Sequence, residues 1–376
     1  MTRGPSSARL RVAIVAPSLG ILGGQAVQAD RLLRAWRDDP EVCAYLVPVN
    51  PVPPGPLRAL VPLKYLRTIA TQLTYWPRLL REVRRADVVH VFSASYFSFL
   101  LAPLPAILVA RALGKPVLLN YRSGEAPDHL RRSATARWGL RRVQRNIVPS
   151  GFLRDVFAGF GIDSDVIQNV VDLERFRFRD RRPLRPRLVS TRNFERLYNV
   201  ACTLRAFKRV QQQVADATLT LVGDGAERPA LEALSRELGL RGVTFAGRVA
   251  PDDIWQYYNE ADIYLQTPDI DNMPASVLEA YASGLAVVST RAGGVPYILR
   301  HEQEGLLAPC GDDAAVAAAV LRFLDSPGLA ARTIAAGRAY AGNCDWESVR
   351  SRWLEAYRQL AAPGRVAAPV AIPSAR

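Results

Sequence analysis

Sulfur and imidazole are scarce in this 376-residue chain, which has 4 cysteines, 2 methionines and 3 histidines. Cys43, Cys202, Cys310 and Cys344 stand far apart, with no C-x-x-C pair and no histidine at metal-ligand spacing. That spacing argues against a structural metal site or a disulfide framework, and a reducing cytoplasm is the expected compartment. No apolar leader is visible: Met1 to Arg9 is short, polar and followed directly by a strand, so no secretory signal is expected. The first strand, Leu10–Ala16, feeds a glycine-containing loop, but G-x-G-x-x-G is absent and so is the P-loop lysine pattern. A dinucleotide-dependent dehydrogenase and an NTPase are therefore disfavoured. One uncharged run, Val88 to Ala110, could cross a bilayer by length, yet it holds His90, three serines, Pro103 and Pro105. A buried strand, a turn and a buried helix fit it better, and the chain reads as soluble.

Acidic residues are short in one half only. Residues 1–187 carry 30 Lys and Arg against 14 Asp and Glu, whereas residues 188–376 carry 19 against 21. A basic half beside a neutral one suggests that the first part meets something anionic. A membrane surface, a lipid-phosphate acceptor and nucleic acid all fit, and so does a merely arginine-rich composition. Nucleic acid is the weakest of these, because aromatics interleave with arginine only at Arg175 to Phe178.

What is present is strand–helix alternation, twice over, the mark of parallel sheets. The length allows two domains, drawn here as residues 1–180 and 187–341, each large enough for its own core. The proline- and arginine-rich stretch between them, RFRFRDRRPLRPR, has few large aliphatics and reads as a linker. An amphipathic helix over 346–361 follows the second domain, and residues 363–376 look disordered. A further segment, Lys64 to Arg85, repeats apolar residues at helical spacing with almost purely basic charges. Packing on the first sheet and docking on anionic lipid are both open to it.

The informative stretch is Ala261 to Leu307. A short apolar strand leads into a loop rich in turn formers, a helix from about Ala275 to Ala282, a glycine stop at Gly284 and a second apolar strand. Asp271 and Asn272 are candidate caps, and Pro274 suits a first helical turn. The backbone N–H groups around Pro274 to Leu278 would then be unpaired and point at one spot, an anion site flanked by the carboxylates of Asp271 and Glu279.

This stretch resembles the retaining glycosyltransferases of family four, the group 1 glycosyl transferases. Their signature of an acidic residue, seven residues, a glutamate and a small-residue turn and strand stands here as Asp271, NMPASVL, Glu279, AYASGLAVVST and AGGVP. The resemblance covers most of the chain, most strongly Ser190 to Leu307. It implies the GT-B fold, two Rossmann-like α/β domains facing an interdomain cleft, with residues 346–361 crossing back to the first. The implied activity is transfer of a sugar from a nucleotide sugar, a substrate rather than a cofactor, to a lipid-linked, glycan or small-molecule acceptor in polysaccharide synthesis. No metal and no cofactor are implied. The expected place is the cytoplasm, with the inner face of the membrane as the peripheral alternative.

Residue roles follow from the same resemblance. Arg192 and then Arg196 would meet the growing charge on the outer phosphate, and Asp271 would hold hydroxyls of the transferred sugar. Glu279 would bind the ribose. Backbone N–H groups of Asn272, Met273, Pro274's neighbour Ala275 and Ser276 would bind sugar hydroxyls, and those near Val277 and Leu278 the diphosphate. Gly223, Gly225 and Arg248 would border the base. The Gly23-Gly24 pair would admit the diphosphate and acceptor, and Arg122 stands where relatives carry a histidine near the donor sugar, with His129 as a partial substitute. The chain departs from the family pattern at Leu197-Tyr198, where a lysine is usual, at Asn199, where a glycine is usual, and at Gln168-Asn169-Val170. A nucleotide-sugar binder or scaffold of the same fold, catalytically weakened, is the alternative these departures leave open.

Overall fold

The computed structural model describes residues 9–20, 23–60 and 62–362; the tail expected to be disordered, 363–376, lies outside them. The apolar segments build two sheets of six parallel strands. The first contains β1 (Leu10–Ala16), β2 (Val42–Pro48), β3 (Val88–Ser93), β4 (Val117–Tyr121), β5 (Arg145–Val148) and β6 (Asp165–Val166), in the order β2-β1-β3-β4-β5-β6. The second contains β7 (Arg187–Ser190), β8 (Thr218–Val222), β9 (Val243–Gly247), β10 (Ile263–Leu265), β11 (Ala286–Thr290) and β12 (Leu306–Ala308), in the order β12-β11-β10-β7-β8-β9. Central strands such as β3, β4 and β11 are buried along their whole length. Helices cover both faces of a parallel sheet, which is why these strands are nearly all apolar rather than alternating.

Strand order reverses between β7 and β10 in the second sheet, since β8 and β9 lie to one side and β11 and β12 to the other. Loops leaving the carboxyl ends of β7 and β10 therefore diverge, and open α/β sheets bind ligands in that crevice. In the first sheet the corresponding reversal lies between β1 and β3.

The chain divides into two compact units. One runs to Gln168 and resumes at Arg350, and the other is Asn169–Val349. The helix Trp346–Ala361 thus begins in the second unit and ends in the first. It is held on the first unit by Arg350, which pairs with Asp39 and Glu41, and by Tyr357, whose hydroxyl meets His90.

The arginine-rich stretch is not a solvated linker. Phe176 and Arg181 are buried, and Arg179, Arg181 and Arg185 converge on the carboxylate of Asp262, just before β10. Arg185 donates to it through Nε at 3.0 Å, Nη2 at 2.8 Å and its own backbone N–H at 2.7 Å. Arg181 donates to the carbonyls of Ala261 and Tyr258, each at 2.8 Å. A composition poor in aliphatics hid this, because the segment is anchored by buried hydrogen-bonded charge rather than by apolar area.

The run Val88–Ala110 is β3 followed by the helices Tyr96–Leu101 and Pro103–Ala112, largely buried in the first core. Among the described residues no single helix is long and apolar enough to cross a membrane. The helix Lys64–Arg85 has the bounds its spacing predicts, and Tyr75, Leu79 and Val83 pack into the first core. Ile69, Leu73 and Trp76 on the same helix are 55%, 59% and 43% exposed. Three helices were not read from the sequence: Ala126–Arg132, Ala134–Leu140 and Trp255–Glu260.

Candidate active site

Three segments of the second unit assemble the site, two of them at the strand-order reversal. Residues just past β7 supply Thr191 and Arg192, the loop after β10 supplies Gln266 and Asp271, and the helix Ala275–Ser283 supplies Ser276 and Glu279. All eight residues of that helix after its first are buried, so it runs through protein rather than over it. Gly284 ends it in the left-handed region, φ 80°, as the glycine stop predicts.

Glycines let these loops close up. A Cβ on Gly223 would lie 2.1 Å from the Arg192 carbonyl oxygen, and one on Gly294 2.3 Å from that of Asn272. The loop after β11 is also tied to the site by the Gly294 N–H, which donates to the Asp271 carbonyl at 3.1 Å.

Arg192 lies at the first turn of the helix Ala275–Ser283. Its Nη1 donates to Ser276 Oγ at 3.2 Å and its Nη2 to Asp271 Oδ2 at 2.7 Å. The ring of Tyr198 lies 3.9 Å from the guanidinium carbon. Burial opposes the charge on Arg192, but Asp271 and the surrounding phenols outweigh it and hold the group protonated above the ordinary arginine range. Its buried Nε–H has no acceptor among the described residues.

Glu279 is buried one to two turns further along. Tyr258 donates to its Oε2 at 2.8 Å, and Thr191 Oγ1 lies 2.6 Å from the same phenol. Burial, followed by the charge of Glu279, raises the pKa of Tyr258 well above the ordinary phenol value, so this phenol stays a donor. Beneath Ser276, Gln266 Oε1 accepts from Tyr264 at 3.1 Å and Gln266 Nε2 donates to Ser289 at 3.0 Å.

Several expectations are amended by this geometry. The helix cap is Pro274, with no side-chain capping bond, and neither Asp271 nor Asn272 serves. Asp271 accepts from the adjacent Asn272 N–H at 2.8 Å and pairs with Arg192 instead. The Val277 N–H is not open either, because it donates to the Pro274 carbonyl at 3.2 Å. Met273 is a core residue whose carbonyl accepts from Asn169 at 2.7 Å, and Leu278 is buried in the same core. That bond gives the altered Gln168-Asn169-Val170 turn a function.

At the position of the usual lysine, Tyr198 stacks on Arg192. At that of the usual glycine, Asn199 takes the left-handed conformation, φ 44°, and caps the helix Val200–Gln213 through the Cys202 N–H at 3.3 Å. Asparagine visits that region more readily than most residues. Arg196 is exposed on the short 3-10 turn Arg196–Tyr198, and Arg248 is exposed just past β9.

The remaining residues lie in the first unit. Gly23 caps the helix Gly24–Ala35 in extended conformation, and a Cβ on either glycine would meet nothing within 4 Å, so no close approach within the protein requires them. Arg122 follows β4. His129 is a core group rather than a substitute at that position: its Nδ1 lies 2.8 Å from the Tyr121 hydroxyl, and it packs on Tyr96 and Phe99. His90 is buried, with its pKa pushed down to about 3 by burial and by the charge of Arg122. Among the described residues no group of three or more His, Cys, Asp or Glu is placed to hold a metal ion. The sequence missed Tyr258 and Thr191, since neither a tyrosine in a short helix nor a threonine past a strand end carries a local signal of what it faces.

Two family descriptions match the chain: "Glycosyltransferase Family 4" over residues 22–175 and "Glycosyl transferases group 1" over residues 185–326. A sulfoquinovosyl transferase of Arabidopsis thaliana is 27% identical over 65% of the chain, and the match spans about half of that relative, 51% of its length. A phosphatidyl-myo-inositol mannosyltransferase of Mycobacterium leprae is 24% identical over 94% of the chain and 98% of its own. Among solved structures, Anabaena HepE in complex with UDP-glucose superposes with a TM-score of 0.73 at 17% identity, covering 93% of this chain and all of that one, 100%. That likeness shows the fold, GT-B. With the Asp271-x7-Glu279 stretch seated where β7 and β10 part, and both halves matched, the chain belongs to the group 1, family four glycosyltransferases.

Proposed function

We propose that the protein is a retaining glycosyltransferase, moving a sugar from a nucleotide-sugar donor to a lipid-linked or glycan acceptor without a metal ion. The observation that carries this reading is the meeting of Arg192 with the first turn of the helix Ala275–Ser283, through Ser276 and Asp271. Breaking a sugar–phosphate bond leaves growing negative charge on the outer phosphate. A guanidinium fixed at a helix start, in protein rather than water, opposes that charge best as it develops. Glu279, oriented by Tyr258, accepts hydrogen bonds from the ribose hydroxyls, and Asp271 from the transferred sugar. The leaving phosphate takes the acceptor's proton, so no side-chain base is needed. The solved relative with UDP-glucose supports a nucleotide sugar as donor.

Arg192→Ala and Glu279→Ala each lower transfer or donor hydrolysis by at least ~100-fold, the loss seen when one charge-stabilising donor is removed. Unchanged turnover in both variants would refute the enzyme reading. The binder reading draws on Tyr198, which occupies the place of a second cation. Tight donor binding with no turnover on any acceptor would favour it.

The helix Lys64–Arg85 supports an anionic bilayer as the place of work. At about 100° per residue, Leu66, Ile69, Leu73, Trp76 and Leu80 share one exposed row. Arg67, Arg78, Arg81, Arg84 and Arg85 form a band along one side of it, complementary to acidic headgroups. The protein should sediment with phosphatidylglycerol-containing vesicles and not with pure phosphatidylcholine. Replacing Leu73 and Trp76 together by Glu should weaken that binding at least ~10-fold. Equal binding of both vesicle types, or none, would remove the membrane from the proposal.

A further inference from the structure

Arg122 is a half-buried cation with an enclosed Nη2 and no paired carboxylate among the described residues. It stands one residue past β4, and that Nη2 has no hydrogen-bond partner among the described residues. Its Nη1 makes one long contact, 3.4 Å, to the neutral Asn120 Oδ1, and the guanidinium carbon lies 5.5 Å from the Phe92 ring centre. Asp128, the aspartate of the following helix, is engaged by Arg132 and Tyr96, each at 2.8 Å. Among the described residues no carboxylate pairs with Arg122. Burial alone sets its pKa, pushing it down to about 9 with nothing to offset the cost.

The residues around it fix it in place. Because Asn120 Oδ1 accepts from Arg122, Asn120 Nδ2 is the group that faces His90 Nε2, at 3.2 Å. His90 then accepts at Nε2 and carries its hydrogen on Nδ1, which meets the Tyr357 hydroxyl at 2.8 Å. Trp353 stacks on the imidazole, with ring centres 4.8 Å apart. A buried chain running back to the C-terminal helix thus positions a guanidinium with most of its five donors unspent. It does so at the carboxyl end of a parallel strand, where open α/β sheets take their ligands. Arginine's planar fork is suited to a carboxylate or a phosphate.

We propose that Arg122 is an anion-recognising, specificity-determining residue: one substrate of this enzyme carries a carboxylate or phosphate that lands on its guanidinium. The inference rests on the transferase reading above and adds the charge of the substrate. That charge has two sources, the transferred sugar of the donor or the acceptor.

Calorimetric titration of the full-length protein with UDP, UDP-glucose and UDP-glucuronate tests the donor, and glucose 6-phosphate against glucose in the presence of UDP tests the acceptor. The expected result is that the charged member of one pair binds at least ~10-fold tighter than its neutral partner. Arg122→Gln should abolish that preference, leave UDP binding within ~2-fold and not lower the unfolding temperature. Arg122→Lys should recover part of the preference, since it keeps the charge and loses the fork. UDP binding with no charge preference in either pair would overturn the proposal. So would a preference that persists in Arg122→Gln, or a lowered unfolding temperature with preference intact, which would make Arg122 a core residue only. Failure of the native protein to bind UDP at all would instead sink the nucleotide-sugar reading beneath it.

Discussion

Each unit carries an arginine just past the carboxyl end of a parallel strand, in opposite electrical company. Arg192 in the second unit has Asp271 at 2.7 Å and Tyr198 stacked upon it. Arg122 in the first has a neutral amide at 3.4 Å and an aromatic ring. The same contrast extends to larger features. The second unit gathers three arginines onto the single buried carboxylate of Asp262, whereas the first leaves an apolar row of the helix Lys64–Arg85 in water. Among the described residues, these second-unit arginines have carboxylate partners, whereas the first unit leaves one cation without a carboxylate and an apolar helix row exposed. Pairing alone therefore does not mark the substrate residues: Arg192 is paired and Arg122 is not, and both are proposed to meet a ligand.

The largest expected effect breaks that comparison from the second unit's side. Asp262→Ala leaves Arg181 buried without its carboxylate and should cost about 3–5 kcal/mol in urea denaturation, the usual loss when one partner of a buried pair is removed. Burial raises the Asp262 pKa, but Arg185 and Arg179 outweigh it, so the folded value lies below the ordinary 3.8. Its stabilisation is then complete above that value and is lost as pH falls through the lower folded one. A wild-type stability profile flat down to pH 2 would contradict the assignment.

The next effect has the opposite sign or none. Arg122→Gln removes a half-buried charge that no carboxylate among the described residues offsets, and stability should hold or rise by up to about 1 kcal/mol. A loss as large as that of Asp262→Ala would show that the two cations are equivalent. The smallest effect concerns Asn199→Gly, which keeps the left-handed turn and gives up the capping bond from the Cys202 N–H and an exposed bond to Asp269. A loss of only a few tenths of a kcal/mol is expected from thermal unfolding. A loss above about 2 kcal/mol would mean that the asparagine does more than supply the turn.

Several boundaries were legible in the residues. β1 and the helix Lys64–Arg85 have the bounds their apolar spacing predicts, and Gly284 ends its helix as read. These signals are local: a run of β-branched residues, a 3.6-residue period, a glycine that alone tolerates a left-handed stop. Less of the site could be read. Arg192, Asp271, Ser276 and Glu279 were named, but their mutual engagement was not, and Tyr258 and Thr191 were missed. Arg192 and Asp271 are 79 residues apart, and Tyr258 and Glu279 21 apart, so no periodicity relates them.

The sequence by itself determined that this chain is two parallel α/β sheets with a glycosyltransferase-like loop and helix in the second, because apolar periodicity and turn chemistry act over a few residues. Only the tertiary structure decided how the charges are spent. Asp262 gathers the arginines of the apparent linker, Tyr198 rests on Arg192, and Arg122 has no counter-ion among the described residues. An ion pair depends on distance through folded space, which the order of residues along the chain does not encode.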